Sequence, residues 1–318
     1  MKKIPVFETI AHAYGFAIGN FLRVFGIVWA PLAVLIAVGL MVTPGFIGNH
    51  MPVNDPDEVA RQSLRLVPAI FLLSLFIRAM IGVGVTELAL GKRSGAPFVY
   101  FSLAAPVWRL FGAWLLFLLV MILIYIGLII LTIVVAIAGG IAVKSAALSP
   151  GMNEVAVALL VAFCVVLFVG ALAYVMARLT FLIPPVVVNE GKIDLARGWE
   201  LTKGSFWRIL WIGLAIFIPL IAVQVGALFL LYGPDMFQHF AAIMHAAMQG
   251  QLRDEALRQQ MDVWSAAART RGLQIWPYTS AVTLIVGTFA YGLLFSASAF
   301  AYREVTETPE NGTLRDPI

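Results

Sequence analysis

From Leu110 to Val143 the chain carries no charged side chain. About 20 apolar residues already cross the hydrocarbon core of a bilayer. A backbone in that medium must also satisfy its own hydrogen bonds, which in a single segment only a helix does. Five further runs behave alike, at about Leu22–Val42, Leu66–Leu90, Val155–Ile183, Ile209–Leu231 and Trp276–Tyr302, with Arg78 interrupting the second. The Leu110–Val143 run is long enough to tilt strongly or to project from the bilayer. Prolines at Pro31, Pro184, Pro185 and Pro219 are expected to kink or end helices. The expected fold is all-α: a polytopic membrane bundle of six transmembrane helices, paired as three hairpins with interfacial amphipathic helices. Residues 1–318 form a single integral membrane domain.

Composition agrees. The 318 residues are 61% hydrophobic and 12% charged, with a mean hydropathy of +0.95; a soluble domain is about a quarter charged. Soluble, disordered and basic-tailed nucleic-acid-binding classes are excluded. The single Cys164 rules out a disulfide framework or a cysteine-rich metal site, and its apolar surroundings read as inert packing. Lys2 and Lys3 do not open a signal peptide, because Glu8 and His12 interrupt the next stretch and no A-x-A pattern succeeds the first span.

Six spans put both termini on one side. Segments on that side hold 13 of the 21 Lys and Arg residues, and segments on the other hold 7. The positive-inside bias then predicts both termini on the cytoplasmic side.

The odd-numbered spans share an entrance. Phe21-Leu22-Arg23-Val24-Phe25-Gly26, Val107-Trp108-Arg109-Leu110-Phe111-Gly112 and Phe206-Trp207-Arg208-Ile209-Leu210-Trp211 each set one Arg among bulky apolar residues. In the even spans, Arg78 precedes Gly91-Lys92 by 13 residues, as Arg178 precedes Gly191-Lys192. The implied unit is an interfacial segment followed by a helical hairpin, used three times. Any polytopic protein that gathers Arg and Trp at its inner interface produces part of this pattern without a repeat. Ahead of the first hairpin, Phe7, Ile10, Tyr14, Ile18 and Phe21 form a helical stripe that leaves Glu8, Thr9 and His12 aside. Ahead of the third, Asp194 suits a helix N-cap and Gly204 a C-terminal cap. Such helices lie in the headgroup plane with cations reaching phosphates. Arg23, Lys92, Arg109, Arg178, Lys192, Trp207 and Arg208 are the candidate headgroup contacts. Arg78 and Gln224 are the candidate intramembrane polar groups, and Arg78 matched to Arg178 would lie toward the cytoplasmic third.

About 40 residues separate the last two spans, too many for a structureless connection. Met236, Phe237, Phe240, Met244 and Met248 share one helical stripe, and Leu257, Met261, Trp264 and Ala268 another. Residues 236–271 are expected to be a periplasmic amphipathic helical insertion of two helices. Phe237, Phe240, Met244 and Met248 would be buried by protein, as a self-cap or a partner surface. His239 and His245 beside these methionines suggest Cu(I), but on a helix they lie about 120° apart, and metal pairs sit three or four residues apart. Asp55-Pro56-Asp57 reads as a helix start rather than a metal pair. No cofactor or metal is expected, and no G-x-S-x-G, phosphate-binding Gly-Lys-Ser/Thr or H-E-x-x-H motif is present.

The stretch from Ala177-Arg178-Leu179 through Pro184-Pro185 and Asn189-Glu190-Gly191-Lys192 continues into Ala196-Arg197-Gly198-Trp199-Glu200-Leu201-Thr202-Lys203-Gly204-Ser205-Phe206-Trp207-Arg208. It resembles the bacterial inner-membrane group of YciC-like proteins and the membrane domain attached to some glycerophosphoryl diester phosphodiesterases. Tyr14 to Pro31, with Gly19-Asn20-Phe21-Leu22-Arg23, looks like that group's first helix. The resemblance implies a six-span fold and no defined activity. The phosphodiesterase barrel has no counterpart in this chain, and the long outer loop departs from the group's short connections.

The expected function is therefore non-catalytic: a membrane protein that interacts with lipid or organises a membrane partner. The alternative is a transporter or channel for an anionic or amphiphilic solute, with Arg78 lining its path. A lipid-modifying enzyme is the third reading, with His50 and Asp55 the only pair to check. The expected partners are membrane lipids, with a membrane-protein partner or a homo-oligomer as further candidates, and no nucleic acid.

Overall fold

A computed structural model describes residues 3–47, 56–93, 95, 98–145, 150–248 and 255–306, and all its regular elements among them are helices. In chain order they are α1 (Val6–Gly19), α2 (Phe21–Ile47), α3 (Pro56–Ala89), α4 (Ala105–Ser145), α5 (Pro150–Thr180), α6 (Ile183–Glu190), α7 (Leu195–Leu201), α8 (Phe206–Tyr232), α9 (Pro234–Met248) and α10 (Glu255–Thr306). Six of them, α2, α3, α4, α5 with α6, α8 and α10, contain segments long and apolar enough to cross a membrane. The chain is a multi-pass membrane protein.

The spans pair as α2 on α3, α4 on α5 and α8 on α10. α10 is the hub, packing also against α1, α2, α3 and α6. The buried side chains gather toward one end of the bundle, here the near end, where α2, α4 and α8 begin. They include Val24, Ile27 and Val28 of α2, Ile77, Met80, Ile81, Val83 and Val85 of α3, Val107 and Leu110 of α4, Ile209, Ile212 and Ile216 of α8, and Leu293, Phe295, Ala297, Ala301 and Tyr302 of α10. Farther out, α4 and α5 expose apolar side chains on nearly every face, as suits helices solvated by acyl chains.

α2, α4 and α8 do not begin at the ends of their neighbours but partway along them. Phe21 meets Phe289 (ring centroids 4.7 Å apart), Trp108 meets Phe76 (4.9 Å) and Phe206 meets Tyr174 (4.9 Å), each pair tilted. α3 runs 11 residues beyond Arg78, and α10 runs 11 beyond Phe295, roughly 16 Å each. α1, the segment 98–104, α6 and α7 pack around these projecting ends as a near-end cap. In the segment 98–104, Tyr100 is buried against Gly84 and Ile27 with Arg93 over its ring, while Phe98, Phe101 and Leu103 stay exposed.

Prolines act by position. α5 ends at Thr180, and Pro184 and Pro185 sit in the first turn of α6, where their missing N–H groups cost nothing. Pro68, Pro219 and Pro277 lie inside helices at exposed positions, and each helix continues through its proline. One expectation changes. The second outer helix is not separate; it is the first part of α10, continuous through Pro277 into the last span. The bulky stripe of α1 is split: Ile10 and Tyr14 pack against the core, with Tyr14 Oη donating to Ala215 O (2.9 Å), while Phe7 and Ile18 face outward. Phe7 is 87% exposed and Ile18 is exposed, whereas Thr9, Ala13 and Ala17 are buried. Small residues let two helices approach closely, and a methyl group on Gly292 of α10 would sit 3.4 Å from Ala17 Cβ.

Candidate functional site

The stacking contacts that fix where the spans start also gather the arginines. Arg78 on α3 lies alongside Trp108 and Leu110, hence level with Arg109: Phe76 meets Trp108, and a methyl on Gly82 would lie 3.3 Å from Leu110. Arg23 precedes Val24, which lies against Gly292; one turn on, Phe295 reaches Gly82. Tyr174 against Phe206 sets Arg178 near the start of α8, two residues before Arg208. One belt of arginine therefore rings the bundle where the spans begin. From Arg23 to Ile47 and from Arg208 to Tyr232 is about 36 Å of helix, enough to cross the roughly 30 Å hydrocarbon core. Over the same course α4 is about 54 Å long, so its far part tilts or projects.

Within the belt the roles differ. Arg178 is only 5% exposed, so its place among the headgroup contacts is corrected. Its Nη1 donates to Tyr174 Oη (2.8 Å), its Nη2 to the Trp199 carbonyl (2.6 Å), and its guanidinium carbon lies 3.7 Å from the Trp199 ring centroid. Thr202 Oγ1 returns a bond to the Arg178 carbonyl (3.1 Å). This arginine clamps α7 to α5. The clamp depends on a short helix that the sequence caps locally: Asp194 accepts from the Arg197 N–H (2.8 Å), and Gly204 takes φ +73° beyond the end.

Lys92 and Arg208 reach backbone carbonyls of other elements. Lys92 Nζ donates to Val188 O (3.1 Å), and Arg208 Nη1 to Ile4 O (2.8 Å). Arg303, absent from the sequence-derived set, donates to Leu90 O at the end of α3. Cations at helix C-termini offset the unpaired carbonyls there. Gly91 and Gly191, matched in the repeat, both adopt left-handed φ (+70° and +66°) after α3 and α6, a conformation that favours glycine. Arg109 lies against the second of these turns, its Nη1 3.3 Å from where a Gly191 methyl would stand.

Arg23, Arg109 and Lys192 remain exposed and make no ion pair with a described residue. Trp207 is 68% exposed, and Trp108 and Trp211 are also exposed. Beyond the belt, Glu190 accepts from Tyr302 Oη (3.0 Å) and pairs with Arg197 (3.6 Å), which joins α6, α7 and α10. His12 stacks on Phe300 (4.5 Å); its burial and then the nearby Arg303 charge lower its pKa. Burial first, and then the Glu87 carboxylate, push the Tyr100 hydroxyl up, partly opposed by Ser102 and Arg93.

Arg78 is exposed and makes no hydrogen bond or ion pair with a described residue; Gln224 is half-buried on α8. On α9, Met244 and Met248 stand exposed while Ile243 is the buried residue, so the chain itself does not cover those methionines as expected. The side chains of Phe237 and Phe240, and His50 and Asp55, lie outside the described residues. Among the described residues no three His, Cys, Asp or Glu side chains converge as metal ligands.

No family model, curated protein or solved structure matches this chain. The belt itself therefore carries the functional reading.

Proposed function

We propose that the chain is a non-catalytic protein of a bacterial inner membrane, near end cytoplasmic, that binds anionic lipid headgroups at its arginine belt. The observation that carries this reading is the exposure of Arg23, Arg109 and Lys192 without an acidic partner among the described residues, in the layer where Trp108, Trp207 and Trp211 are also exposed. Tryptophan favours the headgroup level, and each cation near an anionic leaflet gains about 1 kcal/mol. The greater number of Lys and Arg residues on the near side supports its cytoplasmic placement. The resemblance to the YciC-like group supports the same class of protein.

The test is native mass spectrometry of the full chain released from mixed phosphatidylglycerol and phosphatidylethanolamine. Replacing Arg23, Arg109 and Lys192 together by Gln is expected to lower retained phosphatidylglycerol about tenfold. Unchanged occupancy in the triple variant overturns the reading.

A further inference from the structure

Lys92 and Lys192 leave matching turns. Gly91 after α3 and Gly191 after α6 both take left-handed φ, and each closes on the last carbonyls of its helix. The Gly91 N–H donates to Leu88 O and the Lys92 N–H to Glu87 O, while the Gly191 N–H donates to Val187 O. The fold then brings both lysines to the second of these turns. Lys92 Nζ donates to Val188 O (3.1 Å), three residues before Gly191 and roughly 5 Å from it along the helix. α4 runs beside the same turn. Arg109 Nη1 stands 3.3 Å from the position of a Gly191 methyl, and Ile193 Cδ1 stands 3.2 Å from that of a Gly112 methyl. Lys192 leaves the chain between those two contacts. Three cations from the exit of α3, the first turns of α4 and the link of α6 to α7 therefore surround one turn, and all three are exposed.

Charge is not balanced at this turn. The nearest carboxylates in the chain are taken: Glu87 pairs with Arg93 (3.3 Å) and Glu190 with Arg197 (3.6 Å). Lys92, Arg109 and Lys192 make no ion pair with a described residue. The C-terminus of α6 offers at most about half a negative charge against three positive ones. The surplus matches a head that carries two negative charges. The cations are also spread along residues 188–192 rather than aimed at one point, which suits two phosphodiesters better than one doubly charged phosphate. Trp108 beside Arg109 and Ile193 beside Lys192 are exposed, so apolar surface flanks the cluster where α4 enters the bilayer, and the head arrives on a lipid.

We propose that Lys92, Arg109 and Lys192 form a site for a lipid head with two phosphates, the cardiolipin class, at the turn joining α6 to α7. Basic pockets between spans on the cytoplasmic side bind such heads. The site deepens the lipid-binding reading and rests on it: the belt attracts anionic lipid in general, and this turn selects among anionic heads by their charge. Arg23, at the start of α2, lies in the belt and outside this cluster.

The test uses the full chain in nanodiscs that hold phosphatidylglycerol and cardiolipin at equal phosphate, with retained lipid counted by native mass spectrometry. The wild type is expected to retain cardiolipin about tenfold over phosphatidylglycerol. Arg109→Gln and Lys192→Gln are each expected to remove most of that preference, and Arg23→Gln to keep it. Lys92 also holds α6, so Lys92→Gln is compared with Lys92→Arg, which keeps the charge and is expected to keep the preference. Phosphatidic acid replaces cardiolipin in a second arm and puts its charge on one phosphate; tighter retention there overturns the two-phosphate head. In a third arm, pyrophosphate displacing cardiolipin at micromolar concentration overturns the lipid as the ligand. Equal retention of cardiolipin and phosphatidylglycerol, or an unchanged preference in a folded variant carrying both Arg109→Gln and Lys192→Gln, overturns this site and leaves the belt reading standing. A wild-type protein that retains neither lipid overturns both.

Discussion

Phe76 of α3 and Trp108 of α4 meet with ring centroids 4.9 Å apart, which sets Arg78 level with Arg109 although each lies in a different part of its helix. The long third span therefore starts level with the middle of the second, and the last turns of α3 become part of a packed cap.

The clamp at Arg178 should be structural. Arg178→Leu removes two charge-assisted hydrogen bonds and a stacked cation, and the expected loss is about 3 kcal/mol of stability. Thermal denaturation in detergent checks this. A change of lipid retention with unaltered stability would return Arg178 to the headgroup contacts.

Two glycines, one in α3 and one in α1, should respond oppositely. A methyl at Gly84 would stand 2.7 Å from Ile27 Cγ2 and 2.8 Å from Tyr100 Cε1. Gly84→Ala is therefore expected to cost about 1–3 kcal/mol through overpacking. Gly15, helical in α1 with nothing within 4 Å, should gain up to about 1 kcal/mol as Ala. Both are read as shifts of the melting temperature.

His12 should make the cap acid-sensitive. Its folded pKa lies below the ordinary 6.5, so the unfolded chain binds the proton more readily in the window below that value. Its contribution is complete above pH 6.5 and is lost as pH falls toward the folded pKa. His12→Gln should flatten the pH dependence of stability in that window, as measured by melting from pH 5 to 8; an identical slope in the variant removes His12 as the cause.

Methionine oxidation should report on α9. Met248 is 75% exposed and Met80 is 1% exposed, so peroxide should oxidise Met248 and Met244 well before Met80 in purified protein. The same labelling in native membranes tests coverage of that stripe. Protection there, lost on purification, identifies a bound partner; equal rates exclude a stable one.

The sequence alone determined the six spans and the local punctuation. Length and the absence of charge settle whether a segment crosses a bilayer, and those properties belong to the segment itself. Asp194 as a cap, Pro184 and Pro185 as a helix restart and the paired turns at Gly91 and Gly191 are equally local, each fixed by one residue's own bonding or φ. Only the tertiary structure decided which face of each helix is inside. In water an apolar stripe marks the buried side, but acyl chains solvate Phe7 and Ile18 as well as a protein core does. What selects the inner face is then close packing, which brings Ala13 and Ala17 inward, with Ala17 toward Gly292, and leaves Phe7 and Ile18 of the stripe outside. For the same reason similar arginines at similar spacings part company. Arg178 is enclosed by Trp199 and Tyr174 near the end of α5, while Arg78 on unbroken α3 stays exposed, and that difference depends on neighbours brought together only by the fold.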